Sequence, residues 1–477
     1  MASVKPFLVN GEWRTGHGVL EVRNPYDQSR VAEVGLPTPQ DLEDATVAAV
    51  EGFTVTKNLP VHVRADALDH ISKRLGETTD ENAKLIAAEG GKPLKWAMVE
   101  ARRAVATFRW ASEYIRNEAG QFLRLDAEAP MAGRTAIIRR FPIGPIFGIS
   151  PFNFPLNLVA HKVAPSIAAG ATLVLKPASA TPLSALKLGE LFLETGLPRS
   201  AYSVVPAKSS LAENAAKDPR FRKLTFTGSA PIGWYLKSLD PRKKVTLELG
   251  GNAGVIIHAD ADLDWAAKRC AFGGYYQAGQ SCISVQRILV QSEVYADFLR
   301  RYKQEVEKLK TGDPMDPTVD VGPVIDPGEL ARIDAWVKEA AAGGAQIVTG
   351  GTRIGESCYA PTIIAGTRRT DKVRCEEIFG PVTTVTPYQT FDEALAEVND
   401  SRFGLQAGVF TQDIGRIMEA HRTLDVGGVV VNDQSAFRAD QQPYGGAKDS
   451  GFGREGLRWA IEEMTEPKVL ILSNVPL

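Results

Sequence analysis

Lys223-Leu224-Thr225-Phe226-Thr227-Gly228-Ser229-Ala230-Pro231-Ile232-Gly233 is the stretch on which the fold turns. Its first five residues, rich in β-branched and aromatic side chains, read as a buried strand. Gly228 and Ser229 interrupt that strand. Pro231 then suits the first turn of a helix, where its missing N–H has no partner to lose. A strand, a glycine turn and a helix N-terminus in succession offer backbone N–H groups to a phosphate. The spacing is not G-x-G-x-x-G, so alone it names no ligand.

Outward from this stretch, residues 141 to 250 alternate short apolar strands with helices, the pattern of a parallel α/β sheet. The strand Ile146-Phe-Gly-Ile-Ser runs into Pro151-Phe152-Asn153-Phe154-Pro155. Two prolines lock that loop, and an Asn153 amide held in a fixed direction suits a developing oxyanion. The strand Ala171-Thr-Leu-Val-Leu delivers Lys176-Pro177-Ala178-Ser179 at its C-terminal end, where open parallel sheets bind ligands. A further strand closes on Glu248, beside Gly250 and Gly251. Its carboxylate reads equally as a general base or as a charged strand end.

A second α/β region runs from 251 to 440, with strands at Ala253-Gly-Val-Ile-Ile, Ile283 to Val290, Gln346, Val382 and Val429, and a helix over 292 to 310. Between the helical run Trp265 to Tyr276 and the strand from Ile283 stands Gly279-Gln280-Ser281-Cys282. Small and polar neighbours leave this sulfur open to approach, and a thiolate is a nucleophile. The competing reading is a small buried hydrophobe. Near the N-terminus, residues 8 to 36 read as short strands broken at Asn10-Gly11 and Asn24-Pro25. Thr38-Pro39-Gln40-Asp41 starts a helical region that lasts to about Asn117; Arg103 and Arg109 within it read as solvated charges. Residues 120 to 140 read as two alternating strands, and Pro467 to Leu477 as one apolar strand. Edges so exposed call for a subunit contact.

A chain of 477 residues is too long for one ordinary core and predicts two or three domains. A net charge of -2 argues against nucleic acid or an anionic membrane as partner. No apolar run approaches the roughly 18 residues of a membrane span, and Met1-Ala-Ser-Val-Lys-Pro has no signal core. Cys270, Cys282, Cys358 and Cys375 form no C-x-x-C pair, which predicts a reducing, cytoplasmic setting. The six histidines include no pair four apart, so no metal site is expected.

Taken in order, PFNFP at 151, KPAS at 176, FTGS at 226, ELGG at 248, GQSC at 279, EEIFGPV at 376 and PYGGAKDSGFGRE at 443 resemble the aldehyde dehydrogenase superfamily. The resemblance implies an α/β chain with three parts. A Rossmann-like cofactor domain would take 1–118, 140–250 and 441–466, and an α/β catalytic domain 251–440. A small β oligomerisation element, 119–139 with 467–477, would build a homodimer or homotetramer. It further implies that Cys282 attacks an aldehyde and that the Asn153 side chain and the Cys282 N–H hold the resulting oxyanion. Hydride then leaves for NAD or NADP, and Glu248 activates water against the thioester. By the same resemblance, Glu377 and Phe379 belong to the nicotinamide end of the cofactor site, Lys176 to the adenosine ribose, and Gly228 and Ser229 to the pyrophosphate. Lys162 and Glu466 match positions of proton relay or structural support.

Two departures bear on specificity. Ser179 stands where many NAD-preferring relatives carry an acidic residue, so a 2′-phosphate is not repelled and NADP should be accepted. Asn157, His161 and Arg438, with Arg103 nearby, replace the apolar pocket side chains of other relatives. Such groups need polar partners when buried, which predicts a short hydroxylated or anionic aldehyde such as lactaldehyde or glyceraldehyde. Ser281, where some anion-specific relatives carry arginine, weighs against the anionic version. The alternatives are a generalist pocket and a CoA-acylating semialdehyde enzyme, a branch that often lacks the Glu248 base.

Overall fold

The computed structural model describes residues 4–475. The first three residues of the N-terminal reading and the last two of the terminal strand fall outside them.

The stretch that opened the sequence reading forms the strand Lys223–Thr227 and the helix Ala230–Ser238. The strand lies inside an eight-stranded sheet whose parallel centre runs, in spatial order, Tyr202–Val204, Leu173–Lys176, Ile146–Ile149, Lys223–Thr227, Lys244–Glu248. From Ile146–Ile149 the chain winds outward in one direction, then returns to the other side of that strand with Lys223–Thr227. The order therefore reverses at this point, and a crevice opens beyond the strand ends there. Four segments singled out in the sequence leave the sheet at that edge: Pro151–Asn153, Lys176–Ser179, Gly228–Ser229 and Glu248.

The second sheet has seven strands in the order Gln346–Thr349, Thr362–Ala365, Val382–Tyr388, Val285–Gln291, Ala253–Ile257, Gln406–Phe410, Gly428–Val431. All its pairings are parallel except that of the edge strand Gln346–Thr349. The central strand Ala253–Ile257 is wholly buried, as the two covered faces of a parallel sheet require. The predicted strand from Ile283 begins only at Val285, because Ile283 belongs to the Cys282 turn.

The expected hairpin and terminal strand form a separate antiparallel sheet of Thr465–Ser473, Arg134–Pro142 and Gln121–Arg124. Its outer strand leaves Val469, Leu470 and Ile471 more than half exposed, with Phe122 exposed on the neighbouring hairpin. After the strand Gly451–Phe452 joins the first sheet beside Lys244–Glu248, the chain crosses to this third sheet.

The helical region starts as read: Thr38 and Asp41 form a reciprocal capping box at the head of Pro39–Thr56. The helix Leu94–Asn117 packs on Asn157–Ala169, every residue of which is buried. Glu100 from the first helix accepts the Leu156 and Asn157 N–H groups at 2.9 and 3.1 Å. A side chain from another element thus satisfies donors that the buried helix start leaves without partners. This fixes the helix that carries Asn157, His161 and Lys162.

Candidate active site

Cys282 sits on a turn held in an unfavourable backbone. The helix Leu263–Tyr275 ends, and Gln277, Ala278 and Gly279 follow with φ of 54°, 54° and 68°. Non-glycine residues in this region cost of order 1 kcal/mol each, so surrounding contacts must hold them there. Gln280 supplies some: its Nε2 donates to Pro323 O at 3.2 Å, and its Oε1 accepts the Ile325 N–H at 2.9 Å. The Asn153 loop is tied in as well. Asn153 Nδ2 donates to Gln280 O at 3.0 Å, and Gln277 Nε2 donates to Asn153 O. One Asn153 amide hydrogen is left over, Asn153 and Cys282 line one cavity, and among the described residues the Cys282 N–H has no backbone acceptor.

Two cavities meet at this turn. One, of about 530 Å³, is the crevice beyond the first sheet; the other, of about 290 Å³, opens from the side of Trp96, Phe272 and Tyr276. Cys282, Glu248, Leu158 and Thr227 line both. A sulfur shared by two channels can receive one reactant from each side.

Glu248 ends its strand with both carboxylate oxygens buried and, among the described residues, without a hydrogen-bond partner. Burial first, and the charge of Glu455 second, push its carboxyl well above the ordinary range. A buried carboxylate with free oxygens, next to a thiol, is disposed to take a proton from a small molecule such as water. Burial also pushes the Cys282 thiol up to about 12, against a hydrogen bond from Tyr444.

The larger cavity has the groups a dinucleotide needs. Lys176 is largely buried there with no carboxylate partner among the described residues, and burial lowers its pKa. Ser229 precedes the helix Ala230–Ser238 with its hydroxyl uncommitted, and the first-turn amides have no partners in the helix. Gly228 sits so close to the Phe226 ring that a Cβ there would lie 2.6 Å away. Farther along, Glu377 accepts the Gly251 N–H at 2.8 Å, and burial brings its carboxyl up to about 7. A Cβ on Gly250 would lie 2.3 Å from that carboxylate. Phe379, held at a φ of 47°, stands edge-on to Phe152 at 5.9 Å. A cation, a helix N-terminus and a carboxylate spread along one cleft match phosphate and ribose chemistry. Ser179 is exposed at the Lys176 end.

The smaller cavity is lined mostly by apolar surface, with the polar groups expected there in a different arrangement. Asn157, Arg103 and Arg438 line it; His161 does not. His161 is buried behind Arg438, where its Nε2 contacts Asp440 Oδ1 at 2.8 Å and its Nδ1 accepts from Arg438 Nη2 at 3.4 Å. Only a neutral ring with the proton on Nε2 satisfies both contacts, and burial lowers the His161 pKa accordingly. Arg103 also binds Asp440, through Nη2 at 2.7 Å and Nε at 3.2 Å, so it is not the solvated charge expected of it. Arg109 is exposed, 3.6 Å from Glu113. Burial disfavours the Arg438 charge, but Glu455, Tyr444 and Asp440 outweigh it and raise its pKa. Its Nη2 donates to Glu455 at 3.1 Å, while its buried Nε has no partner among the described residues.

Lys162 lines neither cavity. It lies behind Thr227, donating to Thr227 and Thr225 hydroxyls at 2.8 and 3.2 Å and to Glu455 at 3.2 Å. Burial opposes the Glu455 charge, but Lys162 and Arg438 bring its carboxyl down to about 2. Glu466, given a relay or support role by the resemblance, sits exposed on the third sheet opposite Phe141, away from both cavities. The sequence reading therefore missed Glu455, Asp440 and Tyr444. All three belong to the 440–455 loop; Tyr444 and Glu455 lay inside a quoted motif, where only their chemistry could have flagged them.

A family model described as the aldehyde dehydrogenase family matches residues 13–470. A 3-sulfolactaldehyde dehydrogenase from Priestia aryabhattai is 40% identical, with 98% of this chain and 97% of that one covered. Among solved structures, aldehyde dehydrogenase 21 from Physcomitrella patens, in complex with the reaction product succinate, superposes with a TM-score of 0.97. It is 42% identical, covering 100% of this chain and 99% of its own. A glyceraldehyde-3-phosphate dehydrogenase from Methanocaldococcus jannaschii, complexed with NADP, is 33% identical with a TM-score of 0.91, covering 95% and 99%.

Proposed function

The chain belongs to the aldehyde dehydrogenase family and is an NAD(P)-dependent aldehyde dehydrogenase, and from that premise we propose that it oxidises a short polar aldehyde, hydroxylated or anionic, to the acid. The observation that carries this reading is the Arg438 guanidinium, buried beside the cavity that holds Cys282 and Glu248, with an Nε–H left unpaired. A buried donor without an acceptor costs about 1–3 kcal/mol, which a substrate oxygen would recover. Relatives named for sulfolactaldehyde, and one solved with succinate, point the same way. Ser281, which weighed against an anion, lines the same cavity and accepts from the Tyr276 hydroxyl at 2.9 Å.

In this reading Cys282 adds to the aldehyde carbon from the smaller cavity. The free Asn153 amide hydrogen and the Cys282 N–H stabilise the oxyanion. Bound in the larger cavity, the nicotinamide supplies the hydride acceptor. Glu248, which faces both cavities, then takes a proton from the water that opens the thioester. Lys162 lines neither cavity; its role is to keep Glu455 ionised, and Glu455 in turn holds Arg438. Retention of Glu248 favours water over CoA as the acyl acceptor.

Lactaldehyde is expected to exceed propanal in kcat/KM, and Arg438→Gln to lower kcat/KM for the polar substrate by about 10²-fold more than for propanal. A wild-type preference for propanal would overturn the polar pocket.

We also propose that NADP is used, since Lys176 lies free at a cleft end where Ser179 brings no negative charge. Ser179→Glu is expected to lower the NADP-to-NAD ratio of kcat/KM by about tenfold or more through like-charge repulsion. Activity with NAD alone in the unmodified protein would rule this out. The apolar outer strand of the third sheet supports a homodimer or homotetramer. A monomer in sedimentation velocity would refute it. No helix among the described residues is long and apolar enough to cross a membrane, and the unpaired cysteines suit the cytoplasm.

A further inference from the structure

We propose that Tyr444 is a catalytic residue whose hydroxyl donates a hydrogen bond to the Cys282 thiolate and so holds the sulfur in its nucleophilic form. The inference rests on Cys282 being the nucleophile. Tyr444 Oη lies 3.1 Å from Cys282 Sγ, and among the described residues the hydroxyl has no other partner. That placement is built from three directions. The Tyr444 main chain pairs both ways with Glu455, N–H to O at 3.0 Å and O to N–H at 2.7 Å. The Arg438 guanidinium stacks 3.8 Å above the ring. The side chain is buried against Ile283 and Leu405.

The chemistry follows from what each sulfur species can do. A thiol can donate or accept; a thiolate can only accept, and among the described residues the phenol is the side-chain donor within hydrogen-bond distance of it. On ionisation the S–H bond breaks, the electron pair stays on sulfur, and the proton leaves to water. The charged groups facing the sulfur are divided. Glu248 and Glu377 oppose the thiolate, Arg438 favours it, and the Tyr276 hydroxyl, also nearby, points to Ser281. Burial opposes it more than any of these. In this setting a charge-assisted hydrogen bond from a neutral donor stabilises the anion without adding a second buried charge.

Tyr444→Phe removes only the hydroxyl and keeps the ring beneath Arg438. The test follows iodoacetamide alkylation of the full chain without cofactor, from pH 7 to 10, with the Cys282 peptide quantified by mass spectrometry. This separates it from Cys270, Cys358 and Cys375. The variant is expected to alkylate Cys282 about tenfold more slowly at each pH, the fold-change of a rise of about one pKa unit. Its kcat/KM should fall in parallel, while KM for NADP and the melting temperature hold. An unchanged alkylation rate overturns the proposal. So does a lowered melting temperature with an unchanged rate, which would make Tyr444 a packing residue only. Cys282→Ala separates the two levels of inference: if that variant still oxidises aldehydes, the parent reading fails, whereas an inert Cys282→Ala beside an unaffected Tyr444→Phe removes only the tyrosine.

Discussion

Cys282→Ala is expected to lower kcat for aldehyde oxidation by about 10⁵-fold or more, the scale on which removing a covalent nucleophile acts. Without the sulfur there is no tetrahedral adduct from which hydride can depart, and the oxyanion donors have nothing to stabilise. The fold should survive. Cys282 is only half-buried and packs at the edge of a small cluster of Ile283, Leu405 and Tyr444. Losing one sulfur there costs less than the 2–5 kcal/mol typical of truncating a large core side chain. The check is absorbance of reduced nicotinamide against time, with the melting temperature as control. Residual activity above about 1% of the unmodified protein would remove Cys282 from the mechanism.

Glu248→Gln should separate the two halves of the reaction. One equivalent of reduced nicotinamide per site is expected in a burst, followed by turnover about 10²–10⁴-fold slower, the usual contribution of a general base. A variant that shows neither burst nor turnover would place Glu248 before hydride transfer and refute its assignment to thioester hydrolysis. The pH dependence has a defined sign. Burial and Glu455 raise the Glu248 carboxyl well above its ordinary 4.5, so the base form is lost as pH falls, beginning above the usual carboxylate range. Steady-state kcat of the unmodified protein should therefore fall on the acid side, and the variant should lose that limb. Stability runs the opposite way. A carboxyl whose pKa is higher folded than unfolded contributes stability below about pH 4.5, and that stability is lost as pH rises toward the folded value. The glutamine variant should melt higher than the unmodified protein near neutrality, and that advantage should vanish in acid.

The site was legible to different depths. Cys282, Glu248 and Asn153 were picked out as reactive or donor side chains at the ends of short elements, given roles only by the resemblance, and the structure brings all three to one cavity. Lys176 and Ser229, given their roles in the same way, line that cavity too. His161 was misread as a lining residue because helical periodicity cannot say which neighbour covers which face when all sides are buried. Glu466 was given a relay or support role by resemblance alone, whereas the carboxylate that Lys162 contacts is Glu455, 293 residues away. Tyr444 carried no signal at all beyond its presence in a glycine-rich motif, since its hydroxyl matters only through a sulfur 162 residues away.

By itself, then, the amino-acid order determined what depends on neighbours along the chain: alternating strands and helices, the turns where they break, and the reactive groups at those turns. Only the folded molecule decided which of those groups meet, which are ionised, and which stand one layer behind the cavity. The reason is physical. Element type follows from periodicity over a few residues, whereas contact and charge state follow from burial and from partners that local pattern does not specify.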